Sequence, residues 1–199
     1  MKKIEEENER FSAGIAITAS ALNQDSLLET YRFARDELGA KNIHVFFVCG
    51  EPRNMSAKAL DTGKYALVAR EAMKDIKAGK IGYSNVPFAG LVNARTLLMY
   101  KETARIAEGK QPRFPCSAGR SIGVIFGNGT VAPCELCSES FGSLRENGFD
   151  FKKLWFSGKA LEFRARIAKE HCACTDECFL GMSILSSPKA YFYFLGELV

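Results

Sequence analysis

The chain has 199 residues, a hydrophobic fraction of 47%, a charged fraction of 25% and a formal net charge of +4. This length supports one sizeable hydrophobic core, or one domain with a small appendage, and the composition is ordinary for a globular protein. The charge excess is too small to indicate nucleic-acid binding, and the longest apolar stretches are too short for a membrane-spanning helix. We therefore expect no nucleic acid and no membrane among the partners.

The first eleven residues, MKKIEEENERF, carry charge but are followed by no apolar segment of the kind that a secretory signal requires. We therefore expect a cytoplasmic protein, in which thiols stay reduced. Seven cysteines are present, and six of them follow residue 115. In a reducing compartment this clustering favours metal binding over disulfides.

The first predicted element is a buried strand at 14–20, where GIAITAS is a short apolar run bounded by turn-forming residues. A helix with apolar residues at helical spacing follows it and ends at Gly39. Asn23 or Asp25 can cap the start of this helix, because short polar side chains accept hydrogen bonds from its first N–H groups.

A second buried strand is predicted at 43–48, where the sequence reads IHVFFV. Two helical patterns follow, one ending at Gly79 and one over 88–107. Strands that are apolar throughout and joined by a helix are typical of a parallel sheet covered on both faces. Residues 1–110 are therefore predicted to form an α/β unit with parallel strands.

Residues 111–199 are predicted to form a smaller α+β unit. SIGVIF at 121–126 and TVAPC at 130–134 flank Asn128-Gly129, a dipeptide typical of a β-hairpin turn. Helical patterns follow at 149–156 and 157–171, and the tail over 180–199 is compatible with a helix.

Thiols converge from three separate parts of this second unit. Cys116 precedes the hairpin, Cys134 and Cys137 close it with C-x-x-C spacing, and HCACTDEC at 171–178 supplies Cys172, Cys174 and Cys178. A [4Fe–4S] cube has iron corners that point apart, so its ligands approach from several directions. The distribution therefore favours an iron–sulfur cluster.

A structural zinc site is the alternative metal centre. Cys134, Cys137 and two of the last three cysteines could form a tetrahedral site with four thiolate ligands. Such a site would leave Cys116 unused, and the 34 residues between Cys137 and Cys172 are many for a compact zinc ribbon.

Other residues near the cysteines have simpler explanations. Asp176 and Glu177 are interpreted as a solvated turn that caps the next segment. His171 is expected at a helix end, where it interacts with the helix dipole. Cys49, at a strand end, is expected to be a buried structural thiol.

Two stretches, CSAGRSIGVIFGNGTVAPCELC and HCACTDECF, resemble the C-terminal auxiliary-cluster region, of SPASM/Twitch type, of radical S-adenosylmethionine enzymes. Cys116, Gly129 and Cys134 meet the C-x(9–15)-G-x4-C spacing of that region. The segment from GIAITASALN to GEP resembles the later βα units of the family's partial barrel, so the resemblance covers about residues 11–185. It implies the C-terminal part of a partial (β/α) barrel over 1–110, followed by a small α+β cluster-binding domain over 111–199.

The resemblance also implies cofactor-binding residues. One auxiliary [4Fe–4S] cluster would be bound by Cys116, Cys134 and two of Cys172, Cys174 and Cys178, with Cys137 a less favoured ligand. S-adenosylmethionine, in a complete enzyme, would lie at the carboxyl ends of the strands, near Ser20, Asn23, Gly50 and Glu51.

The sequence departs from the family at its defining motif. C-x3-C-x2-C is absent, because Gly181 stands where Cys174 and Cys178 would require a third cysteine. Cys49 also occupies a place where the family usually has an arginine. We therefore expect the C-terminal portion of such an enzyme, which alone does not cleave S-adenosylmethionine.

In a complete enzyme, the auxiliary cluster would bind the substrate or relay an electron during radical modification. The first strand would lack a neighbour, so we expect the missing N-terminal barrel half, or a second copy of the chain, to pair with its open edge. Two alternatives remain: a non-enzymatic iron–sulfur electron-transfer or partner subunit, and a zinc-stabilised interaction module.

Overall fold

The computed structural model describes residues 13–84 and 86–197. The elements in chain order are β1 (Gly14–Ala19), α1 (Leu27–Asp36), β2 (Asn42–Phe47), α2 (Thr62–Lys77), α3 (Ala89–Ala107), β3 (Val124–Ile125), β4 (Thr130–Ala132), β5 (Gly142–Ser143), α4 (Phe151–Trp155), α5 (Gly158–Glu170), α6 (Glu177–Leu185) and α7 (Ala190–Leu195). Among these described helices, none has the length and apolar character needed to cross a membrane. The mixture of helices with one small parallel and one small antiparallel sheet agrees with the predicted fold class, while the partial barrel stays a prediction.

The parallel sheet consists of β1 and β2, in register from Gly14 opposite Asn42 to Ala19 opposite Phe47. The connection through α1 confirms the predicted strand–helix–strand unit. One face of the sheet packs on α1 and α2 in a first hydrophobic core, whose largest fully buried members include Tyr31, Tyr65, Val45 and Val68. The other face carries the exposed residues of β1.

The two edges of this sheet differ. On the outer side of β2, the buried Val45 N–H donates to the hydroxyl of Tyr100 at 3.1 Å. Gly82 N–H donates to the carbonyl of Lys41 at 2.6 Å just before β2 begins. Helix α3 therefore satisfies an N–H on this edge, whereas no strand of the described chain other than β2 pairs with β1.

A second core joins α3 to the C-terminal helices. Leu98 of α3 packs with Ile184 of α6 and Phe194 of α7, and the buried Phe114 completes the contact. The other side of α3 contributes Leu97 and Tyr100 to the first core. Helix α3 therefore belongs to both cores, and the predicted boundary near residue 110 stays a prediction. The predicted C-terminal helix is divided into α6 and α7, because proline at 188 lacks an N–H.

The antiparallel sheet confirms the predicted hairpin and extends it. Val124 pairs with Ala132, and Gly129 takes a φ of +89° in the turn, a conformation that favours glycine. Strand β4 is shorter than predicted, because proline at 133 cannot donate a ladder hydrogen bond. The two-residue β5 adds a third strand that sequence patterns did not indicate. A third core covers this sheet with α5 and contains, among others, Phe163.

We predict that Tyr100→Phe lowers the free energy of unfolding by about 1–3 kcal/mol, because the buried Val45 N–H would lose its acceptor. Chemical denaturation of the purified protein measures this change. Tyr191→Phe is the matched control, since Tyr191 is 66% exposed. Equal stability of the two variants would show that Tyr100 does not satisfy the edge of β2.

Candidate metal centre

Five of the seven cysteines line one cavity of about 250 Å³ at the edge of the third core. They are Cys116, Cys134, Cys137, Cys172 and Cys174. The apolar walls include Ala118, Phe163 and Phe179, and the polar residues of the lining are Glu139, Arg166 and Glu170.

The folding of three segments brings these thiols together. Cys116 lies shortly before the hairpin, and Cys134 follows β4 after a single residue. Helix α5 ends at Glu170, and His171 follows in the left-handed conformation with φ +50°. This reversal of the chain after α5 precedes Cys172 and Cys174 and confirms the predicted helix-end position of His171.

Cys116 and Cys172 form a hydrogen-bonded thiol pair. The contact with Cys172 lowers the pKa of Cys116 to about 6, although burial opposes the change. The same contact, with burial, raises the pKa of Cys172. The first proton therefore leaves this pair readily, which suits a metal ligand because metals bind the thiolate.

The other two strongly perturbed thiols of the cavity are held in the neutral form by burial. Burial raises the pKa of Cys134 to about 11 against a hydrogen bond from Leu136 N–H to its Sγ at 3.3 Å. Burial likewise raises the pKa of Cys174 to about 12, and the charges of Cys116 and Cys134 add to this increase. The charges of Cys116, Cys174 and Cys134 also raise the pKa of Cys172. The charges of Cys116 and Cys134 therefore act on both Cys172 and Cys174, and the charge of Cys137 acts on Cys134.

Cys137 and Cys178 differ from those four. Cys137 Sγ donates to the carbonyl of Cys134 at 3.4 Å, so its thiol is already engaged by the backbone. Cys178 is exposed and lies outside the cavity lining. Burial raises the pKa of Cys178, and the further increases come from carboxylates rather than from cysteines. Cys178 belongs to the first turn of α6, and the helix fixes the direction of its side chain.

Asp176 caps α6 and joins three segments at the cavity. Its Oδ1 accepts from Phe179 N–H at 3.0 Å, which confirms the predicted cap. Its Oδ2 accepts from Cys49 Sγ at 3.8 Å, and it is hydrogen-bonded to Glu135, whose pKa this contact raises. The expectation of a solvated turn is wrong, because Asp176 is only 8% exposed beneath these neighbours.

Two residues beside Asp176 are perturbed by burial. Burial raises the pKa of Glu177 to about 8, and the positive charge of Arg95 acts against this increase. Burial also raises the pKa of Cys49 to about 11, with Asp176 as the next cause. Cys49 is half-buried rather than buried, and its structural role stays a prediction.

The first pair of residues predicted near S-adenosylmethionine lies in the turn after β1. Asn23 Nδ2 donates to the carbonyl of Thr18 at 2.9 Å, and its Oδ1 accepts from Ser20 N–H at 2.9 Å. The prediction that Asn23 or Asp25 caps α1 is wrong: the N-cap position is Ser26, which makes no side-chain cap hydrogen bond. Asn23 instead closes the turn after β1 through its hydrogen bonds with Thr18 and Ser20.

The second pair, Gly50 and Glu51, follows β2. Gly50 has φ +68°, and a Cβ at this position would lie 3.0 Å from Leu136 of the cysteine-bearing loop. Val48 N–H donates to the carbonyl of Ala19 at 3.0 Å, which brings the ends of the two strands together. The carboxyl end of the parallel sheet therefore meets the loop between Cys134 and Cys137.

Sequence patterns did not reveal the charged residues of the cavity lining. Arg166 pairs with Glu139 across the cavity lining and approaches Glu170 at 3.6 Å. The Arg166–Glu170 spacing of four residues indicates such a pair on a helix, but Glu139 is distant in sequence. Across residues 13–84 and 86–197, no group of three or more His, Cys, Asp and Glu side chains is arranged to hold a single metal ion.

We predict that Cys116 is the fastest of the cavity thiols to be alkylated in reduced, metal-free protein at neutral pH. The thiolate is the reactive form, so its rate should reach half of its plateau near pH 6, the pKa of this thiol. Cys172→Ala removes the hydrogen bond and should move this midpoint to higher pH, while Cys178→Ala should leave it unchanged. Timed alkylation with peptide mass spectrometry measures each rate, and an identical Cys116 profile in both variants would contradict the pairing.

A comparison with protein families gives a match in the cysteine-bearing part of the chain. Residues 116–179 match the SPASM family, described as an iron-sulfur cluster-binding domain. The matched range begins at Cys116 and includes Cys178, so all six clustered cysteines lie within it. No curated protein and no solved structure matches the chain. Residues 116–179 of this chain are therefore similar to an iron–sulfur cluster-binding domain of SPASM type.

Proposed function

We propose that this chain binds one auxiliary [4Fe–4S] cluster through the thiolates of Cys116, Cys134, Cys172 and Cys174. The observation that carries the proposal is the convergence of these four thiols, from three segments of the chain, on one cavity. This set selects two ligands from the three cysteines of HCACTDEC. Cys178 is not selected because it is exposed and outside the lining, and Cys137 because its thiol donates to the backbone.

The residues of the cavity fit this cofactor. Four cysteine thiolates are the ligand set that a [4Fe–4S] cluster requires, and five cysteine side chains line the cavity. The bound cluster would supply one-electron chemistry. Phe163 and Phe179 keep water from one side of the cavity, and the pair of Arg166 with Glu139 carries charge in the lining.

The same site supports a place in a radical S-adenosylmethionine enzyme. The cysteine-bearing loop contacts the carboxyl end of the parallel sheet through Gly50, and Cys49 donates to Asp176. Ser20 and Glu51, which follow β1 and β2, would face a cofactor held at the strand ends. Asn23 contributes by shaping the turn that carries Ser20. The cluster would then bind the substrate or relay an electron in the modification of that substrate.

We predict that anaerobic reconstitution with ferrous iron and sulfide gives about four iron and four sulfide per chain. Serine at any of the four proposed ligand positions should abolish most of this incorporation, because one corner of the cluster loses its thiolate. Cys49→Ser and Cys178→Ser are the matched controls and should retain it. Iron, sulfide and zinc analysis, with the visible absorption spectrum, measures the outcome.

The alternatives give different results in the same experiment. Colourless protein with one zinc and no sulfide would identify a zinc-stabilised module and contradict the cluster. A reconstituted protein that undergoes reversible one-electron chemistry but does not bind S-adenosylmethionine would support the electron-transfer subunit. Loss of the cluster from Cys178→Ser, with retention in Cys172→Ser, would contradict the proposed ligand set.

We also propose that the free edge of β1 pairs with a further strand, either from a missing N-terminal barrel half or from a second copy of the chain. Ala16 and Thr18 of β1 are exposed, and no other described strand covers their edge. Unpaired backbone groups on a strand edge readily pair with another chain. Tyr100 satisfies the Val45 N–H on the opposite edge, which favours extension of the sheet at β1.

We predict that the isolated chain self-associates and that Ala16→Lys shifts it toward the monomer, because a lysine on an edge strand opposes edge-to-edge pairing. Thr30→Lys, at an exposed site on α1, adds the same charge and should leave the association unchanged. Light scattering coupled to size-exclusion chromatography measures both. A stable, monodisperse monomer of the unsubstituted chain would contradict the proposal.

A further inference from the structure

A cavity of about 330 Å³ opens between α2 and α3, and none of the described residues that line it also lines the cysteine cavity. Its volume lies in the range of small-molecule sites. Ala66, Ala69 and Met73 lie on one face of α2, since they are three or four positions apart. Ala104 of α3 completes this apolar floor, which rests on the first core. Short side chains at these positions leave the space that forms this α2–α3 cavity.

The rim of the α2–α3 cavity carries an excess of positive charge. The charged side chains of its lining are Arg70, Lys101, Arg105, Lys110, Arg113 and Glu108. Glu108 pairs with Lys110, with Oε2 and Nζ 2.6 Å apart. Glu102, outside the lining, pairs with Arg113, and Glu197, also outside it, pairs with Lys101. Among the described residues, Arg70 and Arg105 have no carboxylate partner, so the cavity retains two positive charges.

Two of the arginines at this rim are held in position by the protein. Arg105 Nε donates to the carbonyl of Gln111 at 3.0 Å. Arg113 Nε lies 2.6 Å from Oε1 of the buried Glu102, whose Oε2 accepts from the Arg113 backbone N–H at 3.0 Å. The terminal nitrogens of both guanidinium groups make no hydrogen bond within the described residues. These donors are therefore oriented before a ligand arrives, which reduces the entropy lost on binding.

Arg70 lies between the α2–α3 cavity and a larger neighbouring cavity of about 430 Å³, since it lines both. The larger cavity is a poorer candidate for an anion. Its Arg35 pairs with both Glu71 and Asp75, and Leu67 is the apolar residue of its lining. Arg70 itself is exposed and forms no ion pair within the described chain, so its charge remains free to act in the α2–α3 cavity.

We propose that the α2–α3 cavity binds a soluble phosphate monoester with a small apolar or aromatic body. Arg70 and Arg105 bind the phosphate, because guanidinium groups match its oxygens with paired hydrogen bonds. A phosphate monoester carries a charge between about −1.5 and −2 at pH 7, which balances the two positive charges. The organic body packs on the floor formed by Ala69 and Met73. A monoanion such as a carboxylate or a sulfate ester would leave one arginine unneutralised.

Calorimetric titration of the full chain tests the proposal with three probes at one ionic strength: phenyl phosphate, inorganic phosphate and phenyl sulfate. Phenyl phosphate should bind at one site per chain. Inorganic phosphate should bind about ten-fold more weakly, because it has no apolar body to bury. Phenyl sulfate should also bind about ten-fold more weakly, because it carries a single negative charge and loses one charge-assisted contact.

Substitutions assign the binding to this cavity. Arg70→Gln and Arg105→Gln should each weaken the binding of phenyl phosphate about ten-fold, because each removes one charged donor. Lys74→Gln is the matched control for Arg70→Gln: it removes the same charge from an exposed position of α2 that lines the neighbouring cavity and not this one. Ala66→Leu fills the floor and should remove the preference for phenyl phosphate over inorganic phosphate. Circular dichroism of each variant verifies that the fold is retained.

Several results would overturn the proposal. They are the absence of phenyl phosphate binding, equal affinity for phenyl sulfate, and equal loss of affinity in Arg70→Gln and Lys74→Gln. Co-sedimentation of the chain with vesicles of phosphatidylcholine and phosphatidic acid, without binding of phenyl phosphate, would assign these arginines to a membrane surface and would also overturn it. Cys116→Ser should leave phenyl phosphate binding unchanged, so failure of this proposal is distinguishable from failure of the cluster proposal.

Discussion

The buried carboxylate of Asp176 is the interaction on which the arrangement of the cysteine segments depends. It caps α6 through Phe179 N–H, accepts from the thiol of Cys49 and is hydrogen-bonded to Glu135. Three distant parts of the chain therefore meet at one side chain: the end of the parallel sheet, the loop after the hairpin and the start of α6. A buried carboxylate must be satisfied by such donors, so its burial specifies where these segments lie relative to one another.

The chemistry of the cavity follows from its place at the edge of a hydrophobic core. The Cys134 and Cys174 thiols stay protonated because burial disfavours their charged forms, while the contact between Cys116 and Cys172 makes one thiolate accessible near neutral pH. Loading a metal group therefore requires the release of protons from sites that hold them with very different strength. The apolar wall that raises these pKa values also limits the access of water to whatever the thiolates bind.

Local sequence patterns predicted those features that neighbouring residues decide. The parallel pairing of β1 and β2 followed from two apolar runs, and the hairpin followed from Asn128-Gly129. Which of the last three cysteines line the cavity could not be predicted, because it depends on the direction that α6 gives to Cys178. The two-residue β5 was also missed, since a strand this short leaves no alternating pattern in the sequence.

Helix α3 packs in two hydrophobic cores, and this double packing has a thermodynamic consequence. It packs on the parallel sheet through Leu97 and on α6 through Leu98, and α6 starts three residues after Cys174. A group bound by Cys172 and Cys174 would raise the free energy needed to open α6 and, through the second core, α3. By linkage, any ligand or partner that stabilises α3 strengthens binding at the cysteines by the same factor. Occupancy of the cavity and the integrity of the distant sheet form one coupled equilibrium.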